Sequence, residues 1–83
     1  MSNKRDPQVM ELQEELRNET MRQFTAIRKE QGKTQNDISI ATGILRPNIS
    51  RMESGAYNPT LDMMVRMAHS IGKKVKIVFE DLD

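Results

Sequence analysis

The chain has 83 residues, 36% hydrophobic and 30% charged, with 13 Lys and Arg against 12 Asp and Glu. That length supports one small domain with a minimal core, not a deep cleft with its own supporting shell. There is no apolar run able to span a bilayer, no secretory h-region behind Met-Ser-Asn-Lys-Arg-Asp, no Cys for a disulfide or zinc site, and a single His, His69. A cytoplasmic protein with no membrane partner, no cofactor, no metal and no enzymatic activity is the expectation, since no nucleophile–base pair is visible. Charge is unevenly spread. Residues 1–20 carry three basic and five acidic side chains, residues 21–55 six and three, and residues 56–83 four of each. The mildly cationic middle is compatible with an anionic partner such as DNA.

Glycine and proline divide the chain into helices. Gly32, Gly43, Gly55 and Gly72 fall where helices would stop, and Pro7, Pro47 and Pro59 where they would start or just before. Asp6 is the expected N-cap of a first helix over Pro7–Gln31. Val9, Leu12 and Leu16 make one apolar stripe on it, and Met21, Phe24 and Ile27 another. The five-residue step from Leu16 to Met21 turns the stripe around the axis. Either one helix carries two faces or two helices meet near Asn18–Thr20, and a continuous helix is the favoured reading. A second helix is expected over Thr34–Thr42, with Thr34 as N-cap and Asp37 as its capping-box partner. A third is expected over about Arg46–Ser54. A fourth spans Thr60–Ile71, capped by Thr60, with Asp62 in its first turn and Leu61, Met64, Val65 and Ala68 as its buried stripe. In the tail, Val75, Ile77 and Phe79 alternate with Lys74, Lys76 and Glu80. This period of two predicts a β-strand, followed by a frayed Asp81-Leu82-Asp83.

The central pair of short helices is the informative feature. A small residue, Ser39, sits where two steeply crossed helices would touch, Gly43 turns the chain, and Ile38, Ile44, Ile49 and Met52 can meet a common core. Gly32-Lys33-Thr34-Gln35, Asn48-Ile49-Ser50-Arg51-Met52-Glu53-Ser54-Gly55 and Asn58-Pro59-Thr60-Leu61 together resemble the lambda-repressor-type helix-turn-helix family, also called the Xre family. The resemblance covers roughly residues 21–72. It implies a mainly α fold, a lambda-repressor-like bundle of four or five helices, to which the tail reading adds a C-terminal β-strand pairing across a dimer. The organisation expected is a partly helical N-terminal extension (1–20), a DNA-binding domain (21–72) and a strand with its tail (73–83).

The resemblance also implies roles. The third helix would enter the major groove of double-stranded DNA, with Leu45, Arg46, Pro47, Asn48 and Arg51 towards the bases. Gln35 would donate to a phosphate, with Lys33, Ser54 and Asn58 as secondary phosphate contacts. Arg28 and Glu53 match positions where the family has a buried ion pair tying the first helix to the recognition helix. Leu45 departs from the usual Ser or Thr cap, Ala41 and Thr42 replace larger apolar residues, and Ile40 stands where a solvent-facing residue is common. A weaker or shifted second helix is therefore expected. The functional expectation is a repressor acting as a homodimer on a palindromic operator, with Val75, Ile77 and Phe79 forming the dimer strand. The alternative is an antitoxin whose main role is to hold a ribonuclease-like toxin protein while repressing its own operon.

Overall fold

The computed structural model describes residues 5–83, so the first four residues of the expected 1–20 extension lie outside the described part. Four helices follow one another: α1 (Pro7–Glu30), α2 (Gln35–Thr42), α3 (Arg46–Glu53) and α4 (Leu61–Ser70). None is long and apolar enough to cross a membrane.

The helix boundaries follow from local chemistry. The Asp6 side chain accepts from the Gln8 N–H, with Pro7 in the first turn, where its missing N–H costs nothing. Thr34 and Asp37 make a reciprocal capping box: the Asp37 N–H donates to Thr34 Oγ1 at 3.0 Å and the Thr34 N–H to Asp37 Oδ2 at 2.8 Å. Thr60 accepts from the Met63 N–H at 3.1 Å. Leu45 makes no side-chain cap, so α3 starts on Pro47 and backbone geometry alone. At the far end of α3, the Ala56 N–H reaches the Arg51 carbonyl and the Gly55 N–H the Met52 carbonyl, a paired closure that α1 and α4 also use.

The first helix is continuous for 24 residues, about 36 Å at 1.5 Å per residue, which sets the 39 Å long dimension of the molecule. Only its second half, through Met21, Phe24 and Arg28, is buried. Leu12 and Leu16 of the expected first stripe are exposed and Val9 is half-buried, with Leu16 on an open groove beside Leu61 and Met64 of α4.

The core is small and rich in methionine. Met21 and Phe24 of α1, Ile38 of α2, Ile44 of the turn, Ile49 and Met52 of α3, and Met67 and Ile71 at the end of α4 form one cluster, with Ile27, Tyr57 and Met63 packed at its margin. Flexible thioethers suit the irregular gaps left where short helices cross. The buried stripe of α4 corrects the sequence reading. Leu61 and Val65 are exposed and Met64 is half-buried, so that of the expected stripe only Ala68 is buried, together with Met67 and Ile71. Met63, Met67 and Ile71 form an adjacent stripe at the same helical spacing, and packing of α4 on α2 selects it.

The α2–α3 turn is held by small polar side chains. Ser39 Oγ donates to the Ile44 carbonyl at 2.6 Å. The buried Thr42 hydroxyl donates to the Ile38 carbonyl at 2.7 Å and accepts from the Ile44 N–H at 3.2 Å. Thr42, unusual for its apolar position, thus secures the turn rather than loosening α2. Arg66 of α4 adds a bond to the Thr42 carbonyl at 2.9 Å.

The strand expected at residues 74–80 does not form within the chain. Residues 73–83 are neither helix nor strand, and among the described residues there is no other strand to pair with. Val75 is half-buried, while Ile77 and Phe79 are exposed. A strand is a relation between two backbones, so alternation along one chain cannot create it.

Candidate nucleic-acid interface

Helix α3 separates its two faces cleanly. Ile49 and Met52, three residues apart, have no solvent exposure and anchor the helix in the core. Leu45, Arg46, Pro47 and Arg51 point to solvent and Asn48 is half-exposed, so its first turn and outer face are free to meet a ligand. Arg51 donates to Asn48 Oδ1 at 3.0 Å, one turn back. This bond holds the two polar side chains side by side on the open face.

Behind this face lies a polar chain linking three helices, buried at its Arg28–Glu53 end and open to solvent at Arg46. Arg28 and Glu53 form a two-pronged pair: Nε donates to Oε2 and Nη2 to Oε1, both at 2.8 Å. Their side chains are 9% and 8% exposed. The remaining Arg28 prong donates from Nη1 to the Lys33 carbonyl at 2.8 Å. Gln35, in the first turn of α2, donates from Nε2 to Glu53 Oε1 at 3.1 Å. Its Oε1 in turn accepts from Arg46 Nη1 at 3.3 Å. The sequence Arg28–Glu53–Gln35–Arg46 therefore runs from α1 through the end of α3 and the start of α2 back to the first residue of α3. It fixes both ends of α3 against the body of the protein. One amide hydrogen of the half-buried Gln35 and most of the guanidinium of the exposed Arg46 remain unspent.

The other sequence-selected polar residues are placed as follows. Ser54 is exposed and turns its hydroxyl back to the Arg51 carbonyl at 2.9 Å. Asn58 is exposed in the loop before α4. Lys33 is engaged elsewhere: its ammonium donates to the Ser70 carbonyl at 2.6 Å. Together with Gln31 Nε2 on the Ile71 carbonyl at 2.9 Å, it satisfies the end of α4 and complements the negative end of its dipole. Nothing in the local sequence signals this clamp, since its partners lie 37 and 40 residues away. Asp37 bears on the same region, because hydrogen bonds from Thr34 hold its carboxyl below the usual carboxylate range. On α1, the exposed Glu19–Arg22 pair, with contacts of 2.6 Å, contributes little to stability.

Two short helices joined at a left-handed glycine, with the second buried on one side, polar on the other and locked at both ends, define a helix-turn-helix DNA-binding domain. A helix-turn-helix family profile matches residues 25–77, and the chain belongs to the lambda-repressor-type (Xre) helix-turn-helix family. A protein of Haemophilus influenzae described as an uncharacterised HTH-type transcriptional regulator is 28% identical over 71 residues, which is 80% of this chain and 72% of that protein. A second protein so described, from Methanothermobacter thermautotrophicus, is 36% identical over 47 residues, 57% of this chain and 68% of its own. No solved structure matches at comparable stringency.

Proposed function

We propose that this protein is a transcriptional regulator that represses by binding a palindromic operator as a homodimer, with α3 of each copy in the major groove. The observation that carries this reading is the outward face of α3, with Arg46 and Arg51 exposed and the helix held at its end by the Arg28–Glu53 pair and at its start by the Gln35–Arg46 bond. The two similar regulators support the regulatory role. Arg46 and Arg51 donate to guanine O6 and N7, Asn48 reads adenine, Leu45 touches a thymine methyl, and Pro47 completes the apolar rim. Gln35 uses its spare amide hydrogen on a phosphate beside the N-terminus of α2, assisted by Ser54 and Asn58. Lys33 contributes less, because its ammonium already serves α4. Two-fold symmetry places the half-sites about 34 Å apart, one turn of DNA, or a multiple of that. Residues 74–80, through Val75, Ile77 and Phe79, join the two copies.

The test is selection of the preferred duplex from a random pool, then affinity measurements at one fixed salt concentration. Arg51→Ala should cost about 1–3 kcal/mol and relax preference at one base position. Wild-type affinity for the selected duplex in both Arg46→Ala and Arg51→Ala would overturn the assignment of α3 as the reading helix.

A further inference from the structure

The tail presents more apolar surface than water tolerates without cover. Phe79 is 96% exposed, Leu82 72%, Val78 63% and Ile77 55%. Among the described residues, 74–83 make no backbone hydrogen bond. The tail borders an open groove of about 720 Å3, lined by Leu16 and Thr20 of α1, Leu61 and Met64 of α4, and its own Val75 and Ile77. A row of unpaired backbone groups beside an apolar groove calls for a second strand.

Resting on the homodimer reading above, we propose that the tails of two copies pair antiparallel about a two-fold axis through Ile77. Phe79 of each copy then lies opposite Val75 of the other and covers the apolar groove there.

Charge and face selection single out this register. In an antiparallel pair, directly opposed residues share a face, so Val75, Ile77 and Phe79 stay together only if the axis passes through a residue rather than between two. An axis through Lys76 would set Lys76 against itself. An axis through Val78 would set Val75 against Asp81, and one through Phe79 would set Ile77 against Asp81. With the axis at Ile77, Lys74 faces Glu80, Lys73 faces Asp81, Lys76 faces Val78, and Val75 faces Phe79. Both charged pairs are then of opposite sign, and the apolar face is unbroken. A β-branched residue against an aromatic is itself a favourable cross-strand pair.

The chain contains no Cys, so single cysteines report the register directly. In the proposed dimer, Ile77→Cys brings two sulfurs across the axis within the range of a disulfide. The equivalent pairs in Val75→Cys or Phe79→Cys lie four residues apart along the strands, about 13 Å. Each full-length variant is oxidised at micromolar concentration and run on a non-reducing gel. Ile77→Cys should cross-link nearly completely and Val75→Cys or Phe79→Cys alone should not. An equimolar mixture of the last two, co-refolded, should cross-link. Failure of Ile77→Cys to cross-link, cross-linking of either other variant as fast as Ile77→Cys, or a monomeric mass for the wild type by light scattering would each overturn the proposal. Affinity of Arg51→Ala for the selected duplex is measured alongside. A weakened Arg51→Ala with an uncross-linked Ile77→Cys would refute the register while leaving α3 as the reading helix.

Discussion

Removing the Glu53 carboxylate tests how the reading helix is held. In Glu53→Ala, the Arg28 guanidinium keeps only its bond to the Lys33 carbonyl, and Nε and Nη2 lose their partners at a site where the side chain is 9% exposed. The Gln35 amide loses its acceptor as well. Breaking a buried pair by deleting one member costs roughly 3–5 kcal/mol, chiefly because the remaining charge stays desolvated. A chain of this size has a total stability of about 4–12 kcal/mol. At about 4–8 °C per kcal/mol, the melting temperature should fall by at least about 12 °C. Because Glu53→Ala can leave the fold marginal, a double variant, Arg28→Met with Glu53→Leu, keeps the reasoning testable. Replacing both charges by apolar groups of similar volume removes the orphan and should recover most of the loss. Even so, operator affinity should stay reduced, since Gln35 and Arg46 have lost the anchor behind them. The assay is thermal unfolding by circular dichroism, with duplex binding measured in parallel. A Glu53→Ala curve superimposable on wild type would refute the idea that the pair holds α3. So would a double variant no more stable than the single one.

Two further outcomes follow from the helix ends. Gly43 has φ of +75° with nothing within 4 Å of where a Cβ would sit, so Gly43→Ala meets backbone strain and no clash. It should cost about 1–2 kcal/mol, with Gly43→Asn costing less, as chemical denaturation would show. The Asp37 carboxyl has its pKa lowered in the fold by the Thr34 hydrogen bonds. Its contribution is therefore fully present above the unfolded carboxylate pKa and is lost as pH falls through the lower, folded value. The stability of Asp37→Asn should accordingly be flatter than wild type across that acidic range in urea titrations at successive pH values.

Where each helix begins and ends was legible in the sequence, because those signals act within one turn. Asp6, Thr34 and Thr60 cap their own next residues, and the left-handed residue that closes α2 must sit at Gly43. The family was legible because residues 32–35, 48–55 and 58–61 together resemble the lambda-repressor-type helix-turn-helix family, and the residues around Ser39, Gly43, Ile49 and Met52 suit two crossed helices. Which apolar residues are covered was a tertiary decision. Periodicity offers α4 two neighbouring stripes, Leu61–Met64–Val65–Ala68 and Met63–Met67–Ile71, and the docking of α2 against it covers the second while leaving only Ala68 of the first buried. The same holds for Leu12 and Leu16, which the folded chain leaves exposed. It holds for Lys33 too, whose ammonium is held by a carbonyl 37 residues away. Hydrogen bonds and caps along a helix are fixed by chain neighbours, whereas burial and long-range pairing depend on which surfaces the folded chain brings together, and no local pattern encodes that.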